Sequence, residues 1–379
     1  KMPAGKTILL KHREENSMEK LKTGIIGCGG IANAKHMPTL AKLNDDVEMV
    51  AFCDIIPERA EKAAKQYGIP GARVYTDYHD LLKEEEITDV RVCVDNGHHC
   101  EITIAALEAG KHVLCEKPLA ITWADARKMA ETADRTGKLL TVGYQHRYNP
   151  DSIFLKKEIE KGTLGDIYIA KARCLRRRGA PTWGIFTQKE KVGGGPMIDI
   201  ATHVIDLVLW LLDNYKPKYV AAMTYQKLKD QPELANPFGA VDPATFTCED
   251  SGVALLVMEN GTSIIIEASW LLNTLENTGV KYLLCGDKAG ADNFTGKLRL
   301  NNVVNNTQCV MEPDFNAAGV SFFEGKTEDS PYREACTFLK AIRGEGELCV
   351  KAWQAARVVQ VLEGIYRSAE TGKPYFFED

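Results

Sequence analysis

The sequence predicts an α/β protein with a doubly wound parallel sheet, followed by an α+β domain built on a mostly antiparallel sheet. Three observations support this prediction. From Leu21 to about Gly143, short apolar runs alternate with helical periods, which is the pattern of βαβ units. A glycine-rich turn directly follows the first of these runs. After Pro150, strand-like runs separated by turns dominate, which is typical of an antiparallel sheet.

The first half of the chain contains five predicted strands joined by helices. The strands are predicted at residues 23–26, 47–54, 90–94, 112–115 and 139–142, and the helices at 31–43, 57–67, 78–83, 101–108 and 123–136. Because parallel connections are right-handed, these units close into one doubly wound sheet. We assign residues 18–143 to this domain and treat the polar, basic residues 1–17 as a tag or extension.

The second half, residues 144–379, is predicted to form a separate domain. Its strands are predicted at residues 167–175, 219–225, 251–258, 263–270, 281–285 and 298–300, with a helix at 152–161. A nearly apolar helix that begins at Pro196 and runs to Leu212 should be buried. Two closing helices, 332–342 and 352–371, precede a short tail at 375–377 and can pack back on the first domain.

Composition excludes several classes of protein. Of 379 residues, 45% are hydrophobic and 26% charged, which is typical of a folded globular protein. The net charge of −5 argues against nucleic acid or an anionic membrane as the main partner. No run approaches the roughly 18 apolar residues of a membrane span. Eleven cysteines without a C-x-x-C pair indicate reduced thiols in a cytoplasmic protein, and no metal site is expected.

The glycine-rich turn has the spacing of a dinucleotide-binding site. Gly27, Gly29 and Ala32 form G-x-G-x-x-A between a strand and a helix, with Gly30 and Ile31 inside the turn. Gly27 permits the tight turn, Gly29 lets the backbone approach a pyrophosphate, and Ala32 allows the helix to pack closely on the strand. The N–H groups and positive dipole of the following helix suit phosphates. The turn therefore predicts a dinucleotide cofactor.

Asp54, at the end of the second predicted strand, indicates which dinucleotide binds. Its carboxylate can accept hydrogen bonds from the adenosine ribose, whereas a 2′-phosphate would meet it as a like charge. NAD is therefore favoured over NADP, although Arg59 could reach the adenine or a phosphate. The alternative is that Asp54 caps the helix that opens at Pro57.

Lys117 is the first candidate for chemistry, because it follows a buried strand in the turn Glu116-Lys117-Pro118. Ligands of a doubly wound sheet lie at the carboxyl ends of its strands, so this lysine would point towards the cofactor. Partial desolvation lowers the pKa of a lysine and makes it a proton-transfer partner or a donor to an alkoxide. Spacing alone leaves a surface lysine in an ordinary turn equally open.

Asp199 and His203 form a second candidate pair at the start of the buried helix. They lie four residues apart and are therefore predicted to share one face. A carboxylate beside an imidazole raises the pKa of the histidine and fixes its orientation, as a general acid/base requires. The alternative is a helix-capping aspartate and a core histidine.

Together these motifs resemble the Gfo/Idh/MocA oxidoreductases, which include glucose–fructose oxidoreductase and inositol dehydrogenase. The resemblance covers nearly the whole chain after Met18 and rests on the glycine turn, residues 109–118, 143–148 and 368–372, and the glycine run before Asp199 and His203. It implies an NAD(P)-binding Rossmann domain and a C-terminal domain whose large open sheet serves a homo-oligomer, a dimer or tetramer. It also implies hydride transfer between NAD(P) and a secondary hydroxyl of a sugar, glycoside or cyclitol.

The resemblance also assigns roles to individual residues. His203 would take the hydroxyl proton, Lys117 would hydrogen-bond the reacting oxygen, and Asp199 would orient the substrate or His203. The residues it places beside the cofactor are Asn96, His99, Glu116 and Lys117, although Asp95 stands where relatives carry proline and leaves the shape of that loop open. The residues it places on the substrate side are Arg147, Tyr148, Arg176, Arg178, Trp183 and Trp270.

The aromatic and arginine side chains on the substrate side have ordinary alternatives. Trp183 could stack on the apolar face of a pyranose while Arg176 and Arg178 bind its hydroxyls. Neighbouring arginines are also common on a solvated face or in ion pairs between subunits. Trp270 could stack on the sugar as well, but its position favours a tryptophan in the core of the sheet.

Three functions remain open from the sequence. The leading hypothesis is a dehydrogenase that uses NAD to oxidise a sugar, glycoside or cyclitol. The second is an NAD-dependent glycosidase that works by transient oxidation and elimination. The third is a non-catalytic sugar sensor, against which the joint presence of Lys117, Asp199 and His203 argues.

Overall fold

The computed structural model describes residues 19–315 and 329–378, which form two sheets with helices around them. The predicted extension at residues 1–17 lies outside the described residues. One continuous apolar core runs from the first sheet through the buried helix to the second sheet. A core shared in this way holds the two halves of the chain together.

The N-terminal sheet contains six parallel strands. They are β1 Leu21–Ile26, β2 Val47–Cys53, β3 Arg73–Tyr75, β4 Asp89–Val92, β5 His112–Cys115 and β6 Leu140–Val142. Their order is β3-β2-β1-β4-β5-β6, which confirms the predicted doubly wound sheet. Only the edge strand β3 was not predicted, since three residues are too few to show a period. The strand order reverses between β1 and β4, and ligands of such sheets bind beyond the carboxyl ends at that point.

Apart from the short α7, which was not predicted, the described helices lie close to their predicted positions. They are α1 Met37–Lys42, α2 Pro57–Tyr67, α3 Tyr78–Leu82, α4 His99–Glu108, α5 Trp123–Thr136, α6 Pro150–Glu160, α7 Lys189–Val192, α8 Thr202–Leu212, α9 Ser330–Ile342 and α10 Ala352–Thr371. Two of them begin irregularly, because π-helical turns at Ala32–His36 and Met197–Ala201 precede α1 and α8. Such turns are uncommon and often occur at functional sites. Here the first turn directly follows the glycine turn and the second contains Asp199.

The C-terminal sheet contains nine strands, and only one neighbouring pair is parallel. The strands are β7 Ile167–Leu175, β8 Pro217–Tyr225, β9 Ser251–Met258, β10 Ser263–Ser269, β11 Lys281–Gly286, β12 Gly290–Asp292, β13 Arg299–Val304, β14 Thr307–Met311 and β15 Tyr375–Phe376. Their order is β14-β13-β12-β11-β7-β10-β9-β8-β15, with β7 and β10 parallel. The mostly antiparallel second sheet is confirmed. The short strands β12 and β14 were not predicted.

Helix α10 joins the two halves of the chain. It packs on α5 of the first half and on β8 and α8 of the second. Glu363 accepts a hydrogen bond from the backbone N–H of Trp123 at 2.8 Å, and the indole of Trp353 donates to Asp134 at 2.7 Å. The predicted return of the last helix to the first domain therefore has specific polar contacts.

The buried helix is apolar enough to resemble a membrane span by composition. The segment Lys189–Leu212 has a mean hydropathy of 1.5 over its most apolar window, but 78% of that window is buried inside the fold. Burial of this kind is what the core helix of a globular domain shows. All eleven cysteines are free thiols, and their positions agree with the expectation of reduced side chains.

Candidate active site

The glycine turn leaves an open side for a ligand. At Gly27 the backbone has φ +89°, and a Cβ there would lie 2.5 Å from the carbonyl oxygen of Cys93. A Cβ on Gly29 or Gly30 would meet no atom within 4 Å. The turn is therefore closed against β4 on one side and free on the other, with Ala32 fully buried where the helix meets the sheet. This shape fits the backbone approach that a pyrophosphate needs.

Asp54 lies directly beside this turn. Its Oδ2 accepts a hydrogen bond from the backbone N–H of Cys28 at 2.8 Å, and its Oδ1 accepts one from Ile56 at 2.9 Å. It does not cap α2, whose N-cap is Ile56, so the alternative interpretation is wrong. The carboxylate retains lone pairs for a ribose at the end of β2, and Arg59 is exposed on α2. The glycine turn and this carboxylate together fit an NAD-type dinucleotide.

Lys117 and Asp199 meet at the carboxyl edge of the first sheet. The ammonium of Lys117 donates to Oδ1 of Asp199 at 2.8 Å and to its backbone carbonyl at 2.9 Å. Both side chains are more than four-fifths buried. Trp270 donates its indole N–H to Oδ2 of Asp199 at 3.2 Å. The aspartate thus fixes a lysine from the first domain with support from the second.

The π-helical turn explains why Asp199 does not pair with His203. Hydrogen bonds from residue i to i+5 widen the helix, so positions four apart no longer lie above one another. The predicted pair was wrong in this respect, and Asp199 bonds Lys117 and Trp270 instead. The predicted rise in the pKa of His203 was wrong for the same reason. Burial, followed by the nearby positive charge of Lys117, holds that pKa well below its usual range.

His203 is surrounded by aromatic side chains rather than by a carboxylate. The ring of His146 lies edge-on to it at 5.2 Å between centroids, and Tyr144 lies edge-on at 6.2 Å. Within the described residues, its buried Nδ1 has no hydrogen-bond partner. A neutral imidazole with an unpaired nitrogen can accept a proton. His146 was missed as a site residue, and only its place in the motif 143–148 could have indicated it.

Glu116 lies inside a buried charged cluster rather than against a cofactor. Its Oε1 accepts from Lys35 at 3.0 Å and from His36 at 2.8 Å, and its Oε2 accepts from the backbone N–H of Lys117 at 3.2 Å. Lys35 also pairs with Glu334 of α9 at 2.8 Å. Although burial raises the pKa of Glu116, Lys35 and His36 hold it well below its usual range. The predicted cofactor contact is therefore corrected: the carboxylate is fully engaged and positions the lysine.

Two predicted cofactor residues shape the neighbouring loops. His99 is fully buried, with Nδ1 2.7 Å from the carbonyl of Pro118 and Nε2 3.2 Å from that of Val94. Its predicted contact with the cofactor is corrected, because the ring ties the loop after β4 to the turn after β5. Asn96 donates to the carbonyl of Val192 at 2.9 Å and so joins the first domain to α7. It remains partly exposed at the cleft.

Two residues predicted to bind substrate belong to the core. The guanidinium of Arg147 is fully buried and forms a two-point ion pair with Asp206 at 2.6 and 2.9 Å. It also donates to Gln354 at 2.6 Å. Tyr148, 5% exposed, is buried beside it. The predicted substrate contacts of both are corrected, since neither side chain reaches a surface that a sugar could touch.

The remaining predicted substrate residues differ in accessibility. Arg178 donates from all three guanidinium nitrogens to loop carbonyls and Asn273 and stays partly exposed, so its sugar contact stays a prediction. Arg176 donates to the carbonyl of Gly179 at 3.0 Å and stays partly exposed. Trp270 is fully buried, and its predicted stacking on sugar is corrected because it supports Asp199. Trp183 is 53% exposed and remains available to a ligand.

The site contains the parts of a nicotinamide-dependent oxidoreductase. An open glycine turn, the carboxylate of Asp54 and the bonded pair of Lys117 and Asp199 lie at one edge of a doubly wound sheet. Among the described residues, no group of three or more His, Cys, Asp and Glu side chains is arranged to hold a metal ion. The protein class defined by this fold and site is therefore an oxidoreductase that binds its cofactor in the N-terminal domain.

Comparison with known proteins gives the family. Residues 21–144 match the model of the oxidoreductase family's NAD-binding Rossmann fold, and residues 156–376 match the model of its C-terminal alpha/beta domain. The chain belongs to the Gfo/Idh/MocA oxidoreductase family, and its N-terminal domain is the NAD-binding domain of that family. The resemblance found in the motifs is confirmed.

Several relatives have described activities. The chain is 36% identical to D-glucoside 3-dehydrogenase of Escherichia coli over 354 residues, which is 93% of this chain and 96% of that protein. It is 35% identical to inositol 2-dehydrogenase of Salmonella typhimurium over 198 residues, which is 52% of this chain and 56% of that protein. A levoglucosan dehydrogenase solved with NADH and L-sorbose has the same fold, with a TM-score of 0.81, 24% identity and coverage of 96% of this chain and 100% of the other.

Proposed function

We propose that this protein is an NAD-dependent dehydrogenase that oxidises a secondary hydroxyl of a sugar, glycoside or cyclitol. The observation that carries the proposal is the meeting of Lys117, Asp199 and His203 at the carboxyl edge of the sheet that bears the glycine turn. The names of its relatives support the substrate class, since they act on a glucoside, an inositol and levoglucosan.

The three side chains have distinct tasks in this proposal. His203 takes the hydroxyl proton, because burial and Lys117 keep its imidazole unprotonated and so able to accept one. The ammonium of Lys117 donates to the reacting oxygen and stabilises the negative charge that develops there. Asp199 holds that ammonium in place through two oxygens and does not need to reach the substrate. When bound, NAD supplies the acceptor for the hydride that leaves the same carbon.

The lowered pKa of His203 sets the protonation state of the free imidazole, which is neutral at neutral pH. A histidine that was already protonated at neutral pH could not take the hydroxyl proton. The carboxylate that would raise this pKa is turned towards Lys117 and Trp270, so the arrangement favours a neutral imidazole. In the reverse reaction the same nitrogen would return the proton to the alkoxide oxygen.

We further infer that the enzyme works as a homo-oligomer assembled through its C-terminal sheet. The outward face of that sheet carries a row of exposed apolar side chains on three adjacent strands. They are Met223 at 45% exposure, Val253 at 43%, Leu255 at 41% and Ile265 at 38%. Cross-strand pairing places them next to one another, and a contiguous apolar patch of this kind is typical of a subunit interface. Sedimentation velocity of the unmodified chain and of Leu255→Glu tests this assembly. We expect the unmodified chain to sediment as an oligomer and the variant to sediment as a smaller species, because a buried charge would destabilise the interface.

We also propose that the protein works in a reducing compartment such as the cytoplasm. All eleven cysteines are free, and burial raises the pKa of several of their thiols, including Cys28 and Cys53 to about 12. Thiols that stay protonated are poor nucleophiles and do not enter disulfide exchange readily. Secretion with retention of all eleven thiols would contradict this assignment.

The experiment is an assay of NADH formation with NAD or NADP and a panel of free sugars, methyl glycosides and inositols. We expect NAD to be preferred, and His203→Asn to lower kcat by a factor of about 10² to 10⁴ with the cofactor still bound. His79→Asn is the matched control, because His79 is exposed on α3, and should retain full activity.

Three outcomes would contradict the proposal or part of it. Cofactor binding without NADH formation on any substrate would reject the dehydrogenase. Release of an aglycone without NADH would instead favour a glycosidase that works by transient oxidation. Full activity in His203→Asn would reject that residue as the base.

A further inference from the structure

The loops at one edge of the C-terminal sheet surround the catalytic pair. β7 is parallel to β10, and β8 runs in the same direction because both β8 and β10 are antiparallel to β9. The carboxyl ends of all three strands therefore lie at the same edge. Trp270 directly follows β10 there and bonds Asp199. The segments 176–188 after β7 and 226–250 after β8 leave the sheet at that edge too.

The first of these segments connects the second sheet with the first domain. It starts beside Ser269, whose backbone carbonyl accepts from the N–H of Arg176 at 2.9 Å. It ends at α7, where Val192 accepts from Asn96 of the first domain at 2.9 Å. One end of the segment is thus close to Asp199, and the other is close to the cofactor loop. The segment therefore runs from the sheet edge beside Asp199 to the loop that follows β4.

The segment presents a cluster of aromatic rings. The ring of Trp183 lies edge-on to Phe238 at 5.1 Å and to Phe186 at 6.1 Å between centroids. Trp183 is 53% exposed and Phe238 45%. The two loops are tied together, since Thr182 donates to the carbonyl of Phe238 and Asn236 donates to that of Ala180 at 2.9 Å. The rings are held by the backbone and still face water.

Most hydrogen-bond donors of Arg178, which lies on the same segment as Trp183, are used inside the protein. The guanidinium of Arg178 is committed to the carbonyls of Leu234 and Leu272 and to Asn273, and Arg176 donates to Gly179. A sugar ring needs donors and acceptors for its hydroxyls, whereas an apolar ring needs only aromatic surface. The cluster is therefore suited to the apolar part of a substrate whose sugar lies deeper, at Lys117.

We propose that Trp183, Phe186 and Phe238 form a subsite for the aromatic aglycone of a glycoside substrate. The inference rests on the proposed function, because the sugar hydroxyl must first reach Lys117 and His203. A glycoside carries a substituent that points away from the oxidised ring. The related D-glucoside 3-dehydrogenase is named for such a substrate. Covering the exposed indole and phenyl rings with an aromatic group removes apolar surface from water and adds edge-to-face contacts.

The test compares methyl and phenyl D-glucosides of the same anomeric configuration in the full-length enzyme with NAD. We expect the unmodified enzyme to have a KM for the phenyl glucoside about tenfold lower than for the methyl glucoside, which is the size of one good aromatic contact. Trp183→Ala should remove that difference by raising the KM for the phenyl glucoside. Trp183→Phe should keep most of it.

A tryptophan elsewhere provides the control. Trp353 lies on α10, is 37% exposed and donates to Asp134 of α5. Trp353→Phe should preserve the difference in KM between the methyl and phenyl glucosides. Equal KM values in the unmodified enzyme, or a difference that survives in Trp183→Ala, would overturn the subsite and leave the dehydrogenase intact. A change in oligomeric mass in Trp183→Ala with the phenyl preference retained would identify the rings as a subunit contact. Oxidation of no sugar at all would overturn the proposed function and the subsite with it.

Discussion

Replacing Arg147 by methionine separates a structural role from a substrate-binding one. The sequence motif places this arginine on the substrate side, but the structure buries it completely. Its guanidinium bonds both carboxylate oxygens of Asp206, at 2.9 and 2.6 Å, and reaches the carbonyl of Cys349 at 2.9 Å and Gln354 at 2.6 Å. Arg147→Met should therefore weaken the fold and leave the KM for the sugar unchanged.

The size of the effect follows from what the substitution leaves behind. Methionine fills much of the same volume but leaves the carboxylate of Asp206 buried without a counter-ion. Breaking one partner of a buried pair costs about 3–5 kcal/mol, a large share of the roughly 5–15 kcal/mol that holds a typical domain together. Arg147→Met with Asp206→Leu should recover most of that loss, because the orphaned charge is then gone.

Urea unfolding followed by far-ultraviolet circular dichroism measures this, with steady-state kinetics on the folded fraction. The expected result is a strongly reduced midpoint for the single variant, recovery in the double variant and the same KM in both. A single variant with an unchanged midpoint and a KM raised tenfold or more would show that the arginine binds substrate and that the reasoning is wrong.

Two further predictions follow from other parts of the fold. Gly27→Ala should abolish NAD binding, measured by titration calorimetry, because its Cβ would lie 2.5 Å from the carbonyl oxygen of Cys93 at φ +89°; Gly137→Ala, a helix C-cap with open space around it, is the control and should bind NAD normally. Burial lowers the pKa of His36, His112 and His146 to about 4. In the unfolded chain these side chains bind protons below about pH 6.5, so the unfolded state takes up more protons and the free energy of unfolding should fall steadily from pH 6.5 to 4. A flat stability profile in urea over that range would contradict the burial of these rings.

Most of the fold was predictable because it depends on local patterns. Strands β1, β2, β4, β5 and β6 are apolar runs with helical periods between them, and a right-handed connection leaves few ways to arrange them. The positions of the glycine turn and Lys117 followed from the same rule, since both come directly after strands whose carboxyl ends share one edge. The strands that were not predicted, β3, β12 and β14, are short, and so few residues show no periodic pattern.

The arrangement within the site could not be predicted in the same way. The partner of Arg147 lies 59 residues away in sequence, and that of Glu116 lies 81 residues away at Lys35. A single sequence contains no signal for pairs so far apart. Arg147 and Glu116 were therefore predicted to contact ligands, whereas their partners are other side chains of the protein. The π-helical turn before α8 also has no clear sequence signal, although it turns Asp199 away from His203.

Both domains contribute to the ion pair of Lys117 and Asp199, and its geometry therefore depends on how the domains are held together. Lys117 comes from the turn after β5, whereas Asp199 and Trp270 belong to the second half of the chain. The backbone N–H of Lys117 donates to Glu116, whose carboxylate forms an ion pair with Lys35. Lys35 follows the glycine turn and also pairs with Glu334 of α9. A shift of one domain against the other would therefore separate the ammonium from its carboxylate before it disturbed either sheet. Because the core is continuous across both domains, the geometry of Lys117 and Asp199 depends on the same packing that stabilises the whole chain.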